Sequence, residues 1–315
     1  MAGGMARRIR YERLPTEGSN PASRDLDRLS PLQIARLMNR EDRRAVAAVG
    51  RVARDIAAAV TLIVDALGRG GRLVFVGAGT SGRLGVLEAA ECPPTFDTPR
   101  ALVQAVMAGG RGSVFRSREG AEDDAPDAVR RLRATARRGD VVVGVSASGV
   151  TPFVRAALGE ARKRGCRTVL VACNASPSLR GAADVVIAPS PGPEVLAGST
   201  RLKAGTATKL VLNTLTTASM ARLGKVYGNR MVDLQPRSRK LRERAIRLVA
   251  EIAGVPPARA ARALAAAGGR ARLAILMARD SLGRAEAARR LRDQGGDLRA
   301  AIEARAKPRR PAARG

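Results

Sequence analysis

The 315-residue chain contains no histidine. That excludes every mechanism built on an imidazole: the Ser-His-Asp triad, the Cys-His dyad and zinc held by histidine. Tryptophan is also absent and aromatic residues are 2% of the sequence, so platforms for stacking nucleic-acid bases are scarce. The three cysteines, Cys92, Cys166 and Cys173, have neither zinc-knuckle nor CxxC spacing. Their odd number argues against a disulfide framework, and they read as reduced thiols. No apolar run reaches the roughly 18 residues of a membrane span. The basic start, residues 1–13, leads into polar sequence rather than the apolar core of a signal peptide. The chain is therefore expected to be cytoplasmic, with no membrane partner.

Acidic residues are in short supply, 28 against 57 Lys+Arg, for a formal net charge of +29. About half of that excess lies from Gln235 onward, nearly all of it arginine on alanine-rich stretches. A nucleic-acid contact is one reading of such charge. The simpler reading is arginine filling solvated helix faces, and it is preferred here, so nucleic acid is not expected as a partner.

The length fits two domains at roughly 100–200 residues each. Ser30-Pro31 has the N-cap and first-position pair of a helix start. A short helix is expected there, then a longer one over about Arg40–Leu67 with Val46, Val49, Val52, Ile56, Val60 and Ile63 as its apolar stripe. Short apolar strands are expected at Arg72–Val76, Ala101–Met107, Asp140–Val145, Thr168–Ala172 and Val185–Ala188. Helices are expected over Arg83–Glu91, stopped by Pro93-Pro94, over 118–137, from Pro152 to about Arg164, and over Leu202–Gly224. Strands that are apolar throughout and alternate with helices define an α/β, doubly wound parallel sheet. After Pro236 only helical segments follow, which read as a small all-helical domain over 236–304, with a basic tail at 305–315.

Two loops share one chemistry. Gly77-Ala78-Gly79-Thr80-Ser81-Gly82 and Ser146-Ala147-Ser148-Gly149-Val150-Thr151 each follow a buried strand and open a helix. Small residues let the backbone approach a ligand, and a helix N-terminus favours an anion. The hydroxyls of Thr80, Ser81, Ser146, Ser148 and Thr151 can bond phosphate or sugar oxygens. The first loop is not a P-loop, and no well-placed acidic residue supports a dinucleotide site. Together the loops favour a phosphorylated polyol over a nucleotide; for either alone a tight structural turn is the alternative.

With histidine absent, acid–base chemistry falls to carboxylates, lysine or tyrosine. Glu91 is expected to close the helix opened by the first loop. A helix C-terminus, an Ala89-Ala90 flank and Glu88 one turn earlier all disfavour its charged form, which suits a proton-transfer group. The alternative is a solvated helix-end glutamate. Glu122 lies in Glu119-Gly120-Ala121-Glu122-Asp123-Asp124, where acidic residues also serve the first turn of a helix. Ser199 and Thr200 read as the cap of the helix from Arg201; alternatively they face the ligand, with Lys203 near an anionic group. Tyr227, Asn229 and Asp233 fall in a Gly-interrupted segment without an assigned role.

Several of these segments, in order, carry a resemblance. They are Thr16-Glu17-Gly18-Ser19-Asn20, Gly77–Gly85, Glu91-Cys92-Pro93-Pro94-Thr95, Glu119–Asp123, Ser148–Pro152 and Gly198–Thr206. They resemble the N-acetylmuramic acid 6-phosphate etherases, bacterial enzymes with a sugar-isomerase-type (SIS) domain. The likeness runs from about Leu14 to Asp233, and more loosely beyond. It implies an SIS-type catalytic domain over 14–235 that binds a phosphorylated amino sugar. It also implies cytoplasmic cleavage of the substrate's D-lactyl ether with water, no metal or organic cofactor, and a homodimer. Glu91 would be the proton donor and Glu122 the second active-site residue. Substrate binding would fall to Gly79, Thr80, Ser81, Ser146, Ser148, Thr151, Ser199, Thr200 and Lys203. Three other readings are a non-enzymatic SIS sensor, a sugar-phosphate isomerase and a DNA-binding regulator. The joint presence of Glu91 and Glu122 favours the etherase over the sensor, and the lack of an N-terminal helix-turn-helix disfavours the regulator.

Overall fold

The computed structural model describes residues 15–233 and 238–304; the expected arm at 1–13 and tail at 305–315 lie outside the described residues. The chain divides into two compact units. One comprises the residues up to Ala90 with Pro99–Ser219; the other comprises Glu91–Thr98 with the residues from Met220 on.

The first unit is built on a five-stranded, all-parallel sheet of order β2-β1-β3-β4-β5. The strands are β1 (Leu73–Gly77), β2 (Val103–Met107), β3 (Val141–Val145), β4 (Arg167–Val171) and β5 (Val185–Ile187). β1 and β3 are buried at every position, as a central strand covered on both faces must be. Two helices, α4 (Ala125–Thr135) and α5 (Pro152–Lys163), pack with Val74, Val76 and Val142 into one core. Phe75 points the other way, toward α3 (Gly79–Phe96), where Gly85 leaves room for it: a Cβ there would lie 2.8 Å from the Phe75 Cβ.

The N-terminal helices differ from the expected pair. α1 runs over Pro31–Arg51 and α2 over Ala53–Gly68, so the break falls at Val52 and not near Arg40. Ser30 and Gln33 form a capping box. Leu37, Glu41, Ala45 and Ala48 then make one continuous buried stripe, which a break near Arg40 would interrupt. The charge at Glu41 hid that stripe from a reading based on apolar residues. The expected helix over 118–137 is also shorter. Gly120 has φ +70, and Asp124 caps α4 by accepting the Asp127 N–H, so Glu119–Asp123 precede the helix. The long helix α6 spans Lys203–Arg222.

The second unit carries a two-residue-per-strand hairpin, β6 (Val226–Tyr227) and β7 (Arg230–Met231), turned at Gly228 with φ +59. Five helices follow: α7 (Arg239–Ala253), α8 (Pro257–Ala266), α9 (Ala271–Asp280), α10 (Arg284–Asp293) and α11 (Leu298–Glu303). Their core is made of Leu248, Val249, Leu264, Leu273, Ile275 and Leu276 among others. Asp233 pairs with Arg272 and with Lys225 (3.1 Å), and Arg299 lies over the Tyr227 ring, which gives the Gly-interrupted segment a structural role. Each of these helices has its own alanine- and leucine-rich stripe between Gly or Pro punctuation.

Candidate active site

In sheets of order 2-1-3-4-5, the chain leaves β1 toward one side and β3 toward the other, opening a crevice at their carboxyl ends. Gly77 and Val145, the last residues of β1 and β3, are register partners. The two hydroxyl-bearing loops therefore leave the sheet side by side at that crevice.

In the first loop the glycines do different jobs. A Cβ on Gly77 would lie 2.7 Å from the Gly82 N. A Cβ on Gly82 would strike the Gly77 carbonyl at 2.5 Å and the Met107 sulfur. Both are thus required by the close turn of the strand into the helix. Gly79 is the exposed one, at φ +53 with open space beside it, and it starts α3. Gly82→Ala is expected to cost about 1–3 kcal/mol by overpacking, read as a lower urea midpoint.

The second loop is a hydroxyl cluster. Ser146 Oγ lies 2.7 Å from Thr151 Oγ1 and 3.4 Å from Ser148 Oγ, and it accepts the Gly149 N–H at 3.0 Å. Gly149 is at φ +74, which turns the chain back on itself. Thr151 precedes α5 without capping it through its side chain. The α5 N-terminus is met instead by Glu122, whose backbone carbonyl accepts the Phe153 N–H at 2.9 Å. Glu122 is thereby fixed beside the second loop, with its side chain exposed. It also lines a cleft of about 110 Å³ shared with Gly79 and Arg83. The Arg83 guanidinium donates to the carbonyls of Val114 (2.8 Å) and Ser113 (3.0 Å) and holds the wall of that cleft.

Ser199 and Thr200 approach from a third direction. A Cβ on Gly205 would lie 3.6 Å from the Thr200 carbonyl and 3.8 Å from the Thr80 Cγ2, so the turn at 199–200 and the first loop meet at the start of α6. Ala147 of the second loop packs there too, with Ala204 and Cys173. Two expectations for this segment are corrected. α6 is not capped by Ser199 or Thr200: the Glu194 carboxylate, buried, accepts the N–H groups of Lys203 (2.9 Å) and Ala204 (2.8 Å). Burial pushes the Glu194 carboxyl up, opposed by those two N–H groups and the Lys203 charge. Lys203 is not poised for a ligand. Its side chain is fully buried and its ammonium donates to Glu41 Oε2 at 2.6 Å. The sequence offered no local signal for either, since Glu41 and Glu194 lie 162 and 9 residues from Lys203.

Glu91 lies in the second unit, on α3, with its side chain exposed. Its expected setting is corrected as well. α3 continues through Pro93 and Pro94 to Phe96, carried by the buried faces of Cys92 and Phe96. Glu91 is therefore interior to the helix and not its last residue. Glu88 does not face it as a free charge: that carboxylate is buried, paired with Lys209 and accepting the Thr216 hydroxyl at 2.6 Å. What the prolines do contribute is the loss of two N–H donors, which leaves the Ala89 and Ala90 carbonyls beside Glu91 without their usual helical partners. All three cysteines are buried, with burial pushing the Cys166 thiol up to about 11 and the Cys173 thiol up to about 12.

A parallel 2-1-3-4-5 sheet with hydroxyl loops at the switch point defines a doubly wound α/β protein, and matches to SIS-domain models place it in the SIS class. A model of the SIS domain matches residues 122–218, and a model of the glucokinase regulatory protein N-terminal SIS domain matches residues 55–162. The chain belongs to the N-acetylmuramic acid 6-phosphate etherase family. It is 49% identical over 294 residues to the etherase of Synechocystis sp., covering 92% of this chain and 96% of that one. The Symbiobacterium thermophilum etherase is 52% identical, with 85% and 89% covered, and the Mycolicibacterium smegmatis etherase is 50% identical, with 92% and 98% covered. Among solved structures, a phosphoheptose isomerase from Francisella tularensis is similar at a TM-score of 0.49 and 14% identity, covering 61% of this chain and 100% of that one.

Proposed function

We propose that this chain cleaves the D-lactyl ether of N-acetylmuramic acid 6-phosphate with water, giving N-acetylglucosamine 6-phosphate and D-lactate. The observation that carries the reading is near-50% identity to curated etherases across almost the whole chain. The hydroxyl-lined crevice supports it, because a sugar phosphate needs an anion cradle beside hydroxyl partners.

An ether is a poor substrate for direct displacement. In the open-chain sugar the C1 aldehyde acidifies the C2 proton. A base takes that proton, the C3–O bond breaks, and lactate leaves with a proton from an acid. Water then adds, its oxygen to C3 and a proton to C2, so the net change is one water consumed. A carboxyl group can serve at each transfer. Glu91 shuttles the protons, and Glu122 holds a sugar hydroxyl or the water. Ser146, Ser148 and Thr151 take the 6-phosphate, while Gly79, Thr80, Ser81, Ser199 and Thr200 address the sugar. No step calls for a metal or an organic cofactor. The enzyme acts in the cytoplasm as a homodimer; among the described residues no helix is long and apolar enough to cross a membrane.

Incubating the purified protein with N-acetylmuramic acid 6-phosphate is expected to release D-lactate and N-acetylglucosamine 6-phosphate in equal amounts. Aldose–ketose interconversion without lactate would assign the isomerase instead. Binding without turnover would assign the sensor.

A further inference from the structure

One motif of the sequence, Thr16-Glu17-Gly18-Ser19-Asn20, takes no part in the chemistry above, yet the fold invests buried polar groups in holding it. Asn20 is buried and uses its whole amide. It donates to Glu41 Oε2 at 2.7 Å and to the Pro193 carbonyl at 3.2 Å, and it accepts the Ala22 N–H at 3.0 Å. Glu41 is in turn the partner of Lys203 at the start of α6. The motif is thus tied to the same buried ion pair that fixes the end of the 194–203 segment.

The result of this anchoring is the position of Glu17. Its side chain is exposed, and Oε2 stands over the 198–200 turn: a Cβ on Gly198 would lie 3.2 Å from it. Gly198 itself is at φ +74, a conformation glycine adopts without strain. The Glu17 carboxylate accepts the Thr16 hydroxyl at 3.3 Å on Oε1, and no described cation lies within 4 Å of it. A carboxylate next to Ser199 and Thr200, with no salt bridge to a described residue, is set up to accept from an external donor.

We infer that Glu17 is a ligand-binding residue, whose carboxylate accepts hydrogen bonds from hydroxyl groups of the sugar beside Ser199 and Thr200. This deepens the sugar-phosphate reading above and rests on it for the class of ligand. The chemistry is selective: a carboxylate bonds a hydroxyl donor strongly and repels a phosphate. Glu17 therefore contributes to recognition of the sugar and not of its phosphate.

The test is calorimetric binding of N-acetylglucosamine 6-phosphate and, separately, of inorganic phosphate to wild type and Glu17→Gln. The variant is expected to bind the sugar phosphate roughly tenfold or more weakly, since hydrogen bonds to a charged group are among the stronger ones. Its phosphate affinity should not fall, because a repelling charge is removed, and its thermal midpoint should be unchanged, because Glu17 is exposed. Unchanged sugar-phosphate affinity would overturn the inference. So would an equal loss for both ligands, which would signify a displaced loop, or a wild type that binds no sugar phosphate. D-Lactate release by the wild type is scored independently. A protein that binds as expected, loses sugar affinity in Glu17→Gln, but releases no lactate would keep Glu17 in the site and remove the etherase activity.

Discussion

Glu91→Gln is expected to lower D-lactate release by about 10²–10⁴-fold, the range acid–base catalysis supplies. The dissociation constant for N-acetylglucosamine 6-phosphate should change by less than about threefold, under 1 kcal/mol. Glutamine keeps the size of the side chain but cannot give or take a proton as a carboxyl does, and Glu91 is assigned no binding contact. The groups proposed to bind the phosphate and the sugar sit on the 146–151 loop, the 77–82 loop and the 199–200 turn. Binding and proton transfer are therefore separable by a single atom. Because Glu91 is exposed, its substitution should leave folding stability within about 0.5 kcal/mol, so lost activity cannot be charged to unfolding. Single-turnover lactate measurements paired with calorimetry read both quantities. Full turnover in Glu91→Gln would take Glu91 out of the mechanism. The exposed carboxylate of Glu122, set at the second loop, would then be the group to test next.

The sheet was legible in the sequence because β1 and β3 are apolar at every position, and only strands covered on both faces can afford that. The turns were legible for a related reason: small residues directly after such strands let the chain turn sharply into a helix, as Gly77 and Gly82 do. Their adjacency was not legible. It follows from the strand order, which places β3 beside β1 while β2 lies on the other flank, and no local pattern encodes that choice. The carboxylates were read least well in their surroundings. Glu91 and Glu88 are one helical turn apart in sequence, which suggested mutual repulsion, but Glu88 is turned inward to Lys209 and Thr216 on α6. Pro93 and Pro94 were read as a stop, whereas packing of Cys92 and Phe96 carries the helix through them. Lys203 is expected from the sequence near an anionic group of a ligand, but the structure buries it. Its partner sits at a position of α1 that otherwise belongs to an apolar stripe. A charged residue at a stripe position was the one available sign of a buried pair, and it does not name the other member.

That pair carries the second large effect. Lys203→Met is expected to destabilise the protein by about 3–5 kcal/mol at neutral pH, the cost of leaving a buried charge without its partner. The Glu41 carboxylate would keep the Asn20 amide on Oε2, while Oε1 has no hydrogen-bond partner among the described residues and lies 3.5 Å from Arg44. Adding Glu41→Leu should recover most of the loss, because a buried ion pair replaced by apolar side chains of similar volume is often neutral or better. The acid limb gives an independent check. In the wild type, burial alone would push the Glu41 carboxyl up, but the Lys203 ammonium and the Asn20 amide outweigh it and hold the group below its ordinary value. A depressed carboxyl contributes stability that is fully present above the unfolded value of about 4.3 and is lost as pH falls through the folded value. In Lys203→Met the ammonium is gone and burial dominates, so the carboxyl can take up a proton and shed its charge at mildly acidic pH. The gap between Lys203→Met and wild type, measured as urea midpoints, should therefore narrow from pH 7 to pH 5. The doubly substituted protein should lack this pH dependence, having no carboxyl at 41. A gap that stays constant, together with a double variant no more stable than Lys203→Met, would trace the loss to the packing of the lysine stem and not to the unpaired charge.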